Sequence, residues 1–337
     1  MAFRPGRGRV TVITAGPGRG IGRGLGKVIL LGEHAVVYGH KALAAAIGLD
    51  VTAHVTPARE WRLEVPEWGL CTEPRGSSED HDEGPARAMR MIAEELLGIP
   101  LPHHVRAEAT LPARAGLGSS SALSVAVARA LASLHGRAPS DEEIERAAMQ
   151  GERVFHGNPS GVDVALATRG GIGVFRRGVG LEPIAAAPFQ VAIGLSGVPR
   201  DTAARVADVA RRRREDQAMA DAVLTELGLL AERGAALVEG GRSLDLGPLF
   251  NEAQELLASL GLSSPRLEET CALARKAGAA GAKLTGAGGG GAVVAIGAED
   301  QVAEAWREAG IAAWVVRVGG MEALGKACKE RGDGSLN

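Results

Sequence analysis

Leu111-Pro-Ala-Arg-Ala-Gly-Leu-Gly-Ser-Ser-Ser-Ala122 joins an alternating, strand-like stretch from His104 to Thr110 to a run of Ala, Val and Leu that reads as a helix to about Leu134. Two glycines, Gly116 and Gly118, permit positive φ and let the backbone approach a ligand closely. Ser119, Ser120 and Ser121 then set hydroxyls and backbone N–H groups at a helix N-terminus, where the macrodipole favours an anion. Alone, such a stretch is more often a serine-capped helix after a glycine turn. In the company described next, Gly116, Leu117, Gly118, Ser119, Ser120 and Ser121 form a cradle for a triphosphate.

The company starts with Gly151-Glu-Arg-Val-Phe-His-Gly-Asn-Pro-Ser-Gly-Val-Asp163. Ser140 caps the preceding helix, with Glu143 completing a capping box, and Glu152 falls near that helix's end. Phosphoryl transfer needs one carboxylate to hold Mg²⁺ beside the triphosphate and another near the acceptor hydroxyl. Glu152 with a hydroxyl of Ser119 or Ser120 suits the first task and Asp163, after a Pro-Ser-Gly turn, the second. Lys27, opening the apolar stretch Val28 to Leu31, can neutralise charge on the transferring group or partner Asp163. His34, within Glu33-His-Ala-Val-Val-Tyr-Gly39, can bind an anionic substrate or serve as a hydrogen-bonded structural histidine.

Two further glycine clusters compete for the phosphate role. Residues 16–26 do not fit GxxxxGK[ST], because Ile21 and Val28 stand at required positions, and the cluster reads as flexible. Gly286-Ala-Gly-Gly-Gly-Gly291 fits GxGxxG, but Ala292 to Ile296 after it reads as strand, whereas a dinucleotide fingerprint opens a helix. A tight glycine crossing between two strands, pressed against a ligand, is the reading that remains.

Around these motifs the 337 residues predict roughly two domains. The Gly- and Arg-rich residues 1–25 form a leader, with the allowance that part of it joins the first strand; Val10 to Thr14 is one candidate. The N-terminal domain covers 26–185 and the C-terminal domain 186–330, with the Pro- and Ala-rich 179–190 as boundary. Residues 42–56 read as buried strand, 73–84 as an acidic surface loop, Pro85 to about Leu97 as a helix, and VDVALATRGGIGVF at 162–175 as hairpin-like. The second half reads as strand 190–196, helices near 201–234, 248–260 and 264–277, then strand, glycine loop, strand, helix, strand. That alternation suits an α+β sandwich.

Composition removes other functions. Hydrophobic residues are 45% and charged ones 23%, which is globular, and the net charge of −2 offers no general attraction for nucleic acid or anionic membrane. Aromatics at 3% leave few faces on which bases can stack. Cys71, Cys271 and Cys328 form no metal pattern and fit a reducing, cytoplasmic setting. No apolar run approaches the roughly 18–20 residues that span a bilayer.

Taken together, the motifs resemble one family. Gly26-Lys-Val-Ile-Leu-Leu-Gly-Glu-His-Ala-Val-Val-Tyr-Gly39 is similar to the first motif of the GHMP kinases, in the form found among mevalonate kinases. Gly116 to Ser121 resembles the second motif and Lys283-Leu-Thr-Gly-Ala-Gly-Gly-Gly-Gly291 the third, while residues 151–163 and 197–202 (GVPRDT) resemble mevalonate kinase segments. The resemblance implies an α+β, two-domain GHMP fold: an N-terminal domain like ribosomal protein S5 domain 2 and a ferredoxin-like C-terminal domain. It implies transfer of the ATP γ-phosphoryl group to the mevalonate 5-hydroxyl, with Mg²⁺ as metal and a homodimer as assembly. By motif position, Asp163 is the base and Lys27 its charge partner, with Ser120 and Glu152 as metal ligands; Glu33, His34, Arg200, Thr202 and Gly288 face the substrate. The rival expectations are another GHMP acceptor (phosphomevalonate, homoserine or a sugar), a decarboxylase of the same fold, or a non-catalytic GHMP-fold binding protein.

Overall fold

A computed structural model describes residues 18–72, 84–157, 159–199 and 201–319. The Val10 to Thr14 strand, Arg200, Cys328 and nearly all of the acidic loop at 73–84 lie outside those residues.

From Gly20 onward the glycine cluster read as flexible is strand, so the allowance that part of the leader joins the first strand applies to residues 20–25. β1 (Gly20–Leu31) pairs antiparallel with the long β2 (Lys41–Pro57) from Gly20↔Val55 to Leu31↔Leu43, with irregularities at Leu25/Gly26 and Ile29/Leu31. Gly20, Gly22 and Gly24 point to one face, since side chains alternate along a strand. On that face lies α2 (Ser119–Leu134), so close that a Cβ on Gly24 would overlap the Ala122 carbonyl, one on Gly22 that of Ala126, and one on Gly20 that of Ala130. The spacing matches: two strand residues advance about 6.8 Å and four helix residues about 6 Å. Single-residue propensity misses this because glycine is penalised in strands on average, whereas here its missing side chain admits the helix.

β2 organises the N-terminal half. Its far end pairs with β5 (His103–Ala109), beyond which β3 (Arg62–Val65) and β4 (Leu70–Cys71) follow, and its near end pairs with β6 (Ile172–Arg176), which turns back as β7 (Gly180–Ile184). The helices α1 (Pro85–Leu97), α2 and α3 (Asp141–His156) pack together in this half, and the Ser140–Glu143 capping box opens α3 as its sequence predicts. Residues 162–175 correct the hairpin reading, because Val162–Arg169 is helix α4 and only the later part is strand. Gly161 enters α4 from the left-handed region at φ 91° and Asp163 lies in its first turn, where a carboxylate suits the dipole.

In the C-terminal half β8 (Phe189–Leu195) is followed by α5 (Thr202–Glu215), α6 (Gln217–Glu239), α7 (Leu246–Ser259) and α8 (Pro265–Lys276). Then come β9 (Gly281–Thr285), β10 (Ala292–Ile296), α9 (Glu299–Glu308) and β11 (Ala313–Val318). The strand order β11-β8-β10-β9 is the 4-1-3-2 arrangement of a ferredoxin-like unit. Through Val318↔Ile47, β11 joins β2, and one apolar core runs from Val28 and Ile47 to Val293 and Trp306.

Valine at Gly24 has nowhere to go but into the Ala122 carbonyl. Gly24→Val should therefore destabilise the protein by about 3 kcal/mol or more in urea unfolding. Gly18→Ala, whose Cβ meets nothing within 4 Å among the described residues, should stay within about 0.5 kcal/mol.

Candidate active site

The seating of α2 on β1 places its N-terminus beside Lys27. The Lys27 amide donates to the Leu117 carbonyl at 2.8 Å, and the lysine stem passes under Gly118, where a Cβ would stand 2.9 Å from Lys27 Cγ. Gly116 and Gly118 have φ of 88° and 80°, so the turn uses the freedom that glycine alone supplies cheaply. No side chain caps the first turn of α2, which leaves the amide donors of its serines facing the loop.

From beneath this turn Lys27 Nζ reaches Asp163 Oδ1 at 3.1 Å. The lysine side chain is 5% exposed and the aspartate 33%, so the pair has one end in the protein and one open to a ligand. Glu152, on α3, is buried, and its Oε1 has no hydrogen-bond partner among the described residues; the Ser121 hydroxyl is orphaned in the same way. Burial raises the Glu152 pKa above the ordinary carboxylate range and the charge on Asp163 adds to this, while Ser121, His156 and Ser120 pull the other way. The Ser120 hydroxyl is hydrogen-bonded to His156 Nε2 at 3.0 Å. A buried carboxylate oxygen without a donor, next to serine hydroxyls at an anion cradle, suits a hard cation that takes few protein ligands and completes its shell from phosphate and water.

The third glycine loop, 286–291, meets His34 of the first motif from the other half of the molecule. Its glycines are packed by protein on several sides: a Cβ on Gly288 would overlap the Leu262 carbonyl and one on Gly290 that of Val198. His34 stands at φ 59° and is buried, with Nε2 2.8 Å from the Ala287 carbonyl. Burial holds its pKa below the usual histidine value, so the ring is neutral, donates through Nε2–H and keeps Nδ1 as an acceptor. Such a ring is a hydrogen-bonded histidine whose Nδ1, without a partner among the described residues, can still accept from a hydroxyl. Thr202, the first residue of α5, is exposed beside the Asp201 cap.

Glu33 is buried and ion-paired with Lys283, which is itself fully buried, donates to the Leu284 carbonyl at 2.7 Å and lies 5.8 Å from the centre of the Phe250 ring. Desolvation raises the pKa of Glu33 and lowers that of Lys283, with their mutual attraction opposing both shifts. This pair ties the first motif to β9, and Thr285 doubles the tie by donating to the Ile29 carbonyl at 2.9 Å and accepting from the Ile29 amide at 3.2 Å. Sequence reasoning assigned no role to Lys283, His156 or Thr285. The available signal was a lysine inside the buried strand Gly281–Thr285, which demands an acid from elsewhere.

Removing one partner of the buried pair should be costly. Lys283→Met should lower stability by about 3–5 kcal/mol in urea unfolding, and adding Glu33→Leu should restore much of the loss. A single variant as stable as the parent would remove the pair from this role.

With the site described, its relatives can be compared. Residues 85–171 match the family model for the GHMP kinases N terminal domain and residues 235–312 that for the GHMP kinases C terminal domain. The chain is 37% identical over 302 residues to a mevalonate kinase of Aeropyrum pernix, covering 82% of this chain and 88% of that one. It is 35% identical over 269 residues to a mevalonate kinase of Methanothermobacter thermautotrophicus, covering 80% and 87%. Among solved structures, that of L. major mevalonate kinase in complex with R-mevalonate superposes with a TM-score of 0.78 at 27% identity, over 91% of this chain and 98% of that one. In the two domains matched, in the order of the motifs and in extended identity to these enzymes, the chain belongs to the GHMP kinase family.

Proposed function

We propose that the protein transfers the γ-phosphoryl group of ATP to the 5-hydroxyl of mevalonate. The observation that carries this reading is the Lys27–Asp163 pair, set at the mouth of the serine and glycine turn that opens α2. Identity to mevalonate kinases over four fifths of the chain supports the choice of acceptor.

Each residue's task follows from its surroundings. The turn from Gly116 to Ser121 binds the triphosphate through its amides and the end of the helix dipole. Ser120 and Glu152 would hold Mg²⁺, which when bound neutralises charge on the phosphates. Asp163, partly exposed, orients the acceptor hydroxyl and accepts its proton, and Lys27 Nζ, fixed 3.1 Å away, offers positive charge to the oxygen as it attacks. His34 Nδ1, without a partner among the described residues, accepts from an acceptor hydroxyl in this reading, and Thr202 and Gly288 border the acceptor. The proposal extends to a homodimer in the cytoplasm. The free thiols of Cys71 and Cys271 support a reducing compartment, no described helix is long and apolar enough to cross a membrane, and light scattering on a sizing column reads the dimer.

ADP release should be measured with Mg-ATP and mevalonate beside phosphomevalonate, homoserine and galactose. Turnover should depend on mevalonate, and Asp163→Asn should cut kcat by roughly 10²–10⁴-fold with ATP binding retained. Turnover with another acceptor alone would discard mevalonate, and a near-normal Asp163→Asn would discard the base.

A further inference from the structure

We propose that Arg205 is an acceptor-binding residue whose guanidinium pairs with the substrate carboxylate and selects an acid over a neutral alcohol. The proposal rests on the reading that the acceptor is mevalonate, a hydroxy acid.

Register is the first reason. Thr202 and Arg205 lie three residues apart on α5, hence on one face, and Val209, four residues further, continues that face into the core. Arg205 therefore stands one turn in from the residue that borders the acceptor. Packing is the second. Its stem crosses the third glycine loop, where a Cβ on Gly289 would stand 3.0 Å from Arg205 Cδ and 3.3 Å from Nε. Gly289 has φ 73°, and a side chain at that position would push the arginine off the loop.

The third reason is charge. A carboxylate bound beside His34 needs a cation, and the neutral His34 is not one. Among the described residues Lys27 is committed to Asp163 and Lys283 is sealed against Glu33. Arg200, which the resemblance sets against the substrate, lies outside them, so Arg205 is the described cation nearest His34 that register and packing aim at the acceptor. Arg205 lies near enough to His34 for its charge to oppose protonation of that ring, behind the larger effect of burial. Its own ion pair is with Asp208, 3.1 Å away at i,i+3, with both side chains about one-third exposed (34% and 33%). An exposed pair of this kind contributes little and can be exchanged for a better partner. The planar fork of arginine binds a carboxylate through two parallel hydrogen bonds, which a fixed loop and helix can aim.

Arg205→Met keeps the stem over Gly289 and the helix propensity while removing the charge. In that variant KM for mevalonate should rise roughly tenfold to hundredfold with kcat within about threefold, as for loss of uniform binding, and KM for ATP should not change. The preference for mevalonate over its neutral amide should shrink by the same factor. Arg205→Lys, retaining charge without the fork, should lie between parent and Arg205→Met, and it carries the test if Arg205→Met does not fold. An unchanged acid-over-amide preference in either variant overturns the role of Arg205 and leaves the proposed function standing. A parent enzyme inactive on mevalonate removes the proposed function itself.

Discussion

The seating of α2 on the glycine face of β1 is the constraint on which the rest depends. Gly20, Gly22 and Gly24 bring the helix backbone against the strand backbone, and Arg129 fastens the contact by donating to the Arg23 carbonyl at 2.8 Å and the Thr168 carbonyl at 2.6 Å. A helix held this closely delivers its N-terminal serines to the point where β1, past its irregularity at Leu25/Gly26, turns Lys27 inward. The same arginine reaches the C-terminal end of α4, whose first turn carries Asp163. The glycine and serine turn, the lysine and the carboxylate thus share one rigid frame, the kind of positioning that the proposed phosphoryl transfer needs.

A second frame is needed because the third glycine loop belongs to the other half. Among the described residues β11 reaches β2 through the register pair Val318↔Ile47 and the Gly319 amide donating to the Ala46 carbonyl at 3.2 Å, a narrow backbone connection for so large a C-terminal half. Glu33 with Lys283, and Thr285 with the Ile29 backbone, supply specific links across the core between the first motif and β9. Polar links in an apolar core discriminate against sliding, because any shift leaves a buried charge or amide unpaired. They hold the third glycine loop in register with His34, whose ring bonds to that loop directly.

Much of this was legible in the sequence, and the failures have physical causes. β5, α2, the capped α3 and the closing strand–loop–strand–helix–strand unit were readable because periodicity and capping act over a few residues. The start of β1 was misread although its glycines recur at every second position, since period-2 alternation of glycine with Ile, Arg and Leu signals a strand only if a helix is waiting to fill the gap. α4 was taken for part of a hairpin because Val162, Val164 and Leu166 alternate as strand residues do, while the left-handed Gly161 that starts the helix leaves no mark beyond its identity. The partner of Lys283 lies 250 residues away, and no local pattern announces a contact at that separation. Arg205 was overlooked for the same reason, its significance coming from a loop more than eighty residues further along the chain.

The two lysine–carboxylate pairs share their chemistry and differ in solvation, and that difference suits the separate roles proposed for them. Glu33 and Lys283 are 1% and 0% exposed at the side chain, so neither can exchange its partner without leaving a bare charge in the core. Lys27 is nearly as buried, but Asp163 is 33% exposed, so its carboxylate can turn to an incoming hydroxyl while the lysine stays fixed. Placing the fixed member on β1 and the adaptable one at the entrance of a short helix keeps the cation stationary as charge moves toward it. Preorganised charge of that kind does not reorient during the reaction, and it is most effective where solvent is largely excluded. The neutral His34 fits the same logic: it can accept a hydrogen bond without adding a charge that would compete with Lys27 for the phosphoryl oxygens.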